Sequence, residues 1–445
     1  MEDKPTEQKP AAVLETAKQA GETSGRWSWV EPAVWTKRML TALEQGVKGG
    51  VWFSLVDKVW KVENLRRGFC QVKANDGAAG ADHQTIEAFE QHLEANIEAL
   101  SREIQQDRYR PSAVRRVWID KAGSKEKRPL GIPTVRDRVV QAALRNVLEP
   151  IFERDFAEHS YGFRPERSAK DALRRVDHLL KSGHGWVVDA DLKSYFDSIP
   201  HERLMAGVGK KIADSRVLSL IEAFLKQQIL EGAERWTPEG GTPQGAVLSP
   251  LLANIYLDPL DHQMAGSGFE MVRYADDFVI LCRSEAEAGR ALGQVQAWVE
   301  KVGLTLHPTK TRLVDATQPG GFDFLGYHFE RGYRWPRDKS LAKLKATIRE
   351  KTRRTDGHSL QAIIGQINQT TIGWFEYFKQ SHYTTFESID GWLRMRVRSI
   401  LRWRSGRKGR GHGADHQRWP NLFFAQHGLF SLAVARAVLV NPRPR

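Results

Sequence analysis

The chain has 445 residues, enough for two or three domains with sizeable cores, and a formal charge of +13. That charge is concentrated: residues 331–445 hold 23 of the 67 Lys and Arg but only 7 of the 54 Asp and Glu, leaving 44 basic against 47 acidic side chains before them, so the C-terminal quarter points to a polyanion partner, or more blandly to a solvated face. The two cysteines, Cys70 and Cys282, lie far apart; they exclude a disulfide framework and a CxxC zinc site, and suit a reducing cytoplasm.

Residues 1–38 read as a flexible tail, its opening stretch mixing charges without the apolar run of a secretory signal. Ile86, Phe89, Leu93, Ile97, Leu100 and Ile104 recur every three or four residues and predict one long amphipathic helix that serves as scaffold. Trp186 to Leu192 predicts a strand, and residues 201–230 are mostly helical. Met271 to Tyr274 and Phe278 to Cys282 are β-prone runs joined through Ala275, Asp276 and Asp277, a hairpin with carboxylates at its tip. A helix follows, opened by Ser284-Glu285-Ala286-Glu287, with Leu292, Val295, Val299 and Val302 on one face and Gly303 as its stop. Residues 311–315 supply a last strand, which completes a split βαβ unit. Beyond Asp338, helical spacing covers residues 339–354, 359–379 and 385–404, and Arg394, Arg396, Arg398, Arg402 and Arg404 stud the last helix. Residues 405–445 read as a basic tail. The apolar stretch Leu429 to Val440 contains Arg436 and is too short to span a bilayer, so no membrane is expected.

Adjacent carboxylates on a tight turn repel each other unless they bind a cation, although a charged surface hairpin is the blander reading. In a split βαβ unit the first and second strands are parallel, with the third slotted antiparallel between them. The end of the first strand, carrying Asp191, should therefore meet the hairpin carrying Asp276 and Asp277. Asp189 is expected to face the opposite side, and Asp197 to be a structural acid. Hard carboxylate oxygens without His or Cys partners suit Mg²⁺. Two such ions catalyse in-line displacement at phosphorus, the chemistry of a polymerase or of a nuclease.

Further blocks decide between these. They are Lys127-Arg128-Pro129-Leu130-Gly131-Ile132-Pro133 with Asp137-Arg138-Val139-Val140-Gln141; Tyr161-Gly162-Phe163-Arg164-Pro165; Asp191-Leu192-Lys193-Ser194-Tyr195-Phe196-Asp197; Gly241-Thr242-Pro243-Gln244-Gly245 running on to Leu248-Ser249-Pro250-Leu251-Leu252-Ala253-Asn254; the Tyr274-Ala275-Asp276-Asp277 turn; and Phe324-Leu325-Gly326-Tyr327. In this order they make the chain, from about Met39 to Arg410, resemble the reverse transcriptases encoded by bacterial group II introns, the maturases.

The resemblance implies an α+β fold, a right-hand polymerase with fingers, a split βαβ palm and an α-helical thumb or maturase domain. It places an N-terminal extension and fingers at 39–185, the palm at 186–335 within a reverse transcriptase domain spanning 51–335, and the thumb at 336–404. Asp191, Asp276 and Asp277 would be catalytic and hold two Mg²⁺ ions, with Mn²⁺ as a substitute. Lys121 and Arg128 would hold the incoming dNTP, Phe196 would exclude a ribose 2′-hydroxyl, Gln244 would pack under the nascent pair, and Lys310 would sit near the primer end. Arg164, Arg394, Arg398, Arg402 and Arg404 would serve RNA binding. Implied partners are the group II intron RNA, an RNA template with DNA primer, dNTPs and target DNA, in a bacterial cytoplasm in association with the nucleoid. With no Cys after Cys282, the chain resembles the branch that lacks an endonuclease. The alternatives are a splicing-only RNA-binding maturase and a domesticated or antiviral reverse transcriptase.

Overall fold

The computed structural model describes residues 25–120, 127–355 and 357–440. Strands β1 (Val114–Asp120) and β2 (Lys127–Ile132) form an antiparallel hairpin, and β3 (Trp186–Asp191) opens the palm. The short strands β4 (Ile229–Glu231) and β5 (Glu234–Trp236) extend the first hairpin into a sheet of order β2-β1-β4-β5. Strands β6 (Glu270–Tyr274), β7 (Asp277–Cys282) and β8 (Arg312–Asp315) join β3 in the order β6-β7-β3-β8. β7 is antiparallel to both β3 and β6, so β3 and β6 run parallel with β7 between them, the split βαβ arrangement expected from the sequence.

Alternation along these strands divides the palm into two apolar layers. Val188, Ala190, Phe278 and Ile280 enter a large core shared with the Val135–Glu153 and Ser249–Gly266 helices. Val187, Val279 and Leu281 face the other way, against the Ala169–Lys181 helix and strands β9 (Phe322–Phe324) and β10 (Tyr327–Glu330). Strand β11 (Tyr333–Pro336) completes this small antiparallel sheet and leads into the thumb. The thumb helices Asp338–Lys351, Leu360–Phe378 and Tyr383–Arg404 pack around Ile348, Ile363, Ile367, Phe386 and Leu393.

Several expectations are corrected. The segment 86–104 forms two helices, Ile86–Glu90 and Leu93–Gln105. The break spans only Gln91 and His92, too short to disturb the apolar spacing, and Asn96 Nδ2 donates to the Phe89 carbonyl exposed there (2.9 Å). Residues 25–38 are not a loose tail, because Trp27, Val30, Val34 and Trp35 are buried and Trp35 Nε1 donates to Asn146 O (2.9 Å); residues 1–24 lie outside the described residues. After Ser405 the chain folds back as the helices Ala414–Arg418, Asn421–Gln426 and Leu432–Val440, which seat Trp419, Phe424 and Leu432 in the thumb core.

Candidate active site

Asp191 and Asp277 are direct partners across β3 and β7. Tyr274 pairs with Asp277, which leaves Ala275 and Asp276 as a two-residue loop. Ala275 has φ of 61°, a left-handed conformation that a non-glycine residue adopts only when its surroundings impose it. The imposing group is Arg273, whose side chain is 1 % exposed. Its Nε donates to Asp261 Oδ1 (2.8 Å), while Nη1 donates to Asn254 Oδ1 (2.9 Å) and to Ala275 O (2.8 Å). Asn254 Nδ2 donates in turn to Gly162 O (2.8 Å). Gly162 abuts the turn so closely that a Cβ there would stand 2.2 Å from Ala275 N. The Tyr161-Gly162 and Leu251-to-Asn254 blocks thus act on the chemistry indirectly, by fixing the turn that carries Asp276 and Asp277. Arg273, Asn254 and Asp261 went unassigned in the sequence because the loop they hold is local but their partners are not.

Asp189 lies on the same face as Asp191, contrary to expectation, since residues two apart along a strand share a face. It is met by Arg312 Nε (3.1 Å), its register partner on β8. Burial, then the charges of Asp189, Asp276 and Asp191, push the Asp277 carboxyl up to about 7, with Arg337 opposing. Burial also raises Asp276, and Arg128 and Arg273 pull against that shift. Asp191 is engaged by the Lys310 ammonium. Among the described residues no three His, Cys, Asp or Glu side chains are already gathered as a metal-holding group. The donor chemistry nonetheless suits a hard divalent cation: crowded carboxylates on facing backbone positions, one of them pushed up by burial and by its acidic neighbours.

The flanking groups are tied to one another through the loop that carries Gln244. Phe196 is partly buried and meets the Phe163 ring edge-on at 6.4 Å between centroids. Its carbonyl accepts from Thr242 N (2.6 Å), which ties it to the loop carrying Gln244. Gln244 Nε2 reaches Asp197 Oδ2 only weakly (3.4 Å), and Gln244 O accepts from Gly131 N on β2 (2.6 Å). Gly245, with φ of 104°, lies where a Cβ would be 2.6 Å from Gly131 O, so the fingers hairpin closes directly on this loop. Arg128 is exposed on β2, and Lys121 lies outside the described residues.

The residues expected to bind RNA divide. Arg164 is buried on Glu153 (Nη2 to Oε1, 2.6 Å) and also donates to Ser160 O, so it braces the loop before the palm. Arg398, 3 % exposed, donates to Trp419 O and Asn421 Oδ1 (both 2.8 Å). Arg402 pairs with buried Asp415 (2.5 Å). These two fasten the C-terminal helices to the thumb, and Arg398 is too buried to meet a polyanion. Arg404 donates to His358 O at the exposed end of its helix, and Arg394 remains partly exposed.

The reverse transcriptase (RNA-dependent DNA polymerase) profile matches residues 119–329, and the group II intron maturase-specific domain matches residues 341–419. Protein YkfC of Escherichia coli K12 is 31 % identical over 345 residues, covering 68 % of this chain and 86 % of that protein. The group II intron-encoded protein LtrA of Lactococcus lactis is 42 % identical over 190 residues, 42 % of this chain but only 31 % of LtrA. A solved Cas6-RT-Cas1–Cas2 complex overlaps 56 % of this chain at 24 % identity and a TM-score of 0.36. No helix among the described residues is long and apolar enough to cross a membrane. With a polymerase palm carrying facing acids and a maturase-specific thumb matched in series, the chain belongs to the reverse transcriptases and maturases encoded by group II introns.

Proposed function

We propose that the chain copies intron RNA into DNA at Asp191, Asp276 and Asp277 and grips the intron RNA with its thumb to assist splicing and mobility. The observation that carries this reading is the facing pair Asp191 and Asp277 beside Asp276 on a braced turn. Two Mg²⁺ ions held by these acids, with Mn²⁺ as substitute, would activate the primer 3′-hydroxyl and steady the leaving pyrophosphate. The rest falls to the protein. Arg128, with Lys121, meets the triphosphate of the incoming dNTP. Phe196 stands where a ribose 2′-hydroxyl would project, and Gln244 supports the nascent base pair. Lys310 lies at the primer end. The DNA 3′ end that is extended would come from the target site.

RNA contact belongs to the cations that the fold leaves exposed. These include Lys343, Arg349, Arg353, Arg407, Lys408 and Arg410, with Arg394 and Arg404 at the margin. Duplex and structured RNA are held largely through backbone and shape, which such a surface suits.

The test has two arms. Purified protein given an RNA template, a DNA primer, dNTPs and Mg²⁺ should extend the primer, and it should bind a folded group II intron RNA more tightly than an unstructured RNA of equal length. Tight intron binding without extension would leave the splicing-only maturase standing. Extension without preference for the intron would remove the maturase half of the proposal.

A further inference from the structure

We propose that Lys310 couples divalent-ion binding to primer-strand binding: its ammonium holds Asp191 in the free protein and transfers to a phosphate of the primer strand once that carboxylate is taken up by an ion. This rests on the reading of Asp191, Asp276 and Asp277 as ion ligands and adds a switch that the reading does not contain.

Backbone pairing brings Lys310 to its place. His307 N donates to Asp191 O (2.7 Å) and Lys193 N to Thr305 O (2.8 Å), so the segment leading into β8 runs alongside the end of β3. A turn closed by Lys310 N and Thr311 N on His307 O then swings the lysine over Asp191. The two cations of this edge differ in how firmly they are held. Arg312, itself 48 % exposed, is held in register with Asp189 by the β3–β8 pairing, and that acid is only 16 % exposed. Lys310 is 60 % exposed and its partner Asp191 27 %. A pair so open to water is worth at most about 1 kcal/mol, roughly a fivefold factor, and a compact ammonium on a flexible stem moves without disturbing the fold.

The acids nearby favour the exchange. A single positive charge on Asp191 leaves Asp276 and Asp277 crowded, whereas a divalent ion answers several carboxylates together. The released ammonium has a destination. Two residues on, at Arg312, a cleft of about 810 Å³ opens between the palm edge and the thumb; Arg312, Arg337, Lys339 and Lys345 line it together with the acids Asp323, Glu330 and Asp338, and its cations offer a phosphate backbone a path. Coupling of this kind is reciprocal: whatever draws Lys310 off Asp191 strengthens ion binding by the factor through which the ion strengthens that partner.

Mn²⁺ binding, counted by electron paramagnetic resonance with and without an RNA template bearing a dideoxy-terminated DNA primer, tests the switch in the full chain. Without nucleic acid, Lys310→Met should bind Mn²⁺ about fivefold more tightly than the parent. The duplex should tighten Mn²⁺ binding in the parent and in Lys310→Arg, but clearly less in Lys310→Met. Equal Mn²⁺ affinity of the free parent and free Lys310→Met would overturn the proposal, as would equal tightening by the duplex in both, which is what a general loss of positive charge gives. Mn²⁺ bound as tightly by Asp277→Asn as by the parent would instead remove the acid site beneath it.

Discussion

Phe196, proposed as the sugar gate, and Glu149 show how much can rest on one side chain. Phe196 is held from below by the large core and from the side by Phe163, with its backbone fastened to the Gln244 loop, so its ring has little freedom to retreat. Phe196→Ala or Phe196→Val should therefore admit ribonucleotides, lowering dNTP-over-NTP selectivity by at least about tenfold while dNTP turnover falls less. Selectivity is read from kcat/KM for matched dNTP and NTP, and an active variant that excludes ribonucleotides as well as the parent would remove the gate. Glu149 carries no chemistry. Burial pushes its carboxyl up to about 7, with Arg145 opposing and Glu153 reinforcing. A raised carboxyl pKa means that the charged form is disfavoured in the fold, so stability declines as pH rises from the ordinary glutamate value through 7. Glu149→Gln should thus raise Tm at pH 8, by about 2 kcal/mol of stability, and change little near pH 5. A Tm unchanged at both pH values would contradict it.

At the scale of elements, the Tyr-Ala-Asp-Asp hairpin is only as good as its bracing. Gly162→Ala places a methyl group against Ala275 N, and the turn must shift to admit it. Primer extension should drop by about a hundredfold, as misplacing catalytic groups by an ångström does, with template binding retained. In the thumb, Arg398 belongs to the fold: Arg398→Met leaves Trp419 O and Asn421 unmet and should cost about 2 kcal/mol of stability, seen as a lower Tm, with little change in the salt dependence of RNA binding. A weakened salt slope without a Tm change would restore it to the RNA face. The palm was legible because its strands are short β-prone runs buried on both faces and its acids sit on a local hairpin. Asp189 was misread, because the two-residue period that should have put it beside Asp191 was applied as if it separated them. Arg398 and Arg402 were not legible, because a helix-borne arginine has the same spacing whether it faces water or Asp415. Their partners lie in a segment whose short helices, each anchored by one or two apolar residues such as Trp419 and Phe424, are masked by glycine and basic residues around Arg407. The Gly162 contact could not be read at all, since nothing local in either strand of sequence announces it.

Across the whole molecule, charge and shape divide the labour. The palm gathers acids at one sheet edge, with Lys310 and Arg312 as resident counter-charges, and the thumb supplies most of the excess positive charge, some of it spent on closing the fold. Affinity for nucleic acid and the ability to join nucleotides should therefore be separable. Asp277→Asn keeps the shape of the most strongly perturbed acid and removes its charge. Primer extension on an RNA template with Mg²⁺, measured alongside template–primer affinity in the same preparation, is the most direct test of the account. Extension should fall by at least about a thousandfold while affinity changes less than about threefold; a variant that still extends primers at near-parental rate would contradict the assignment of the acids.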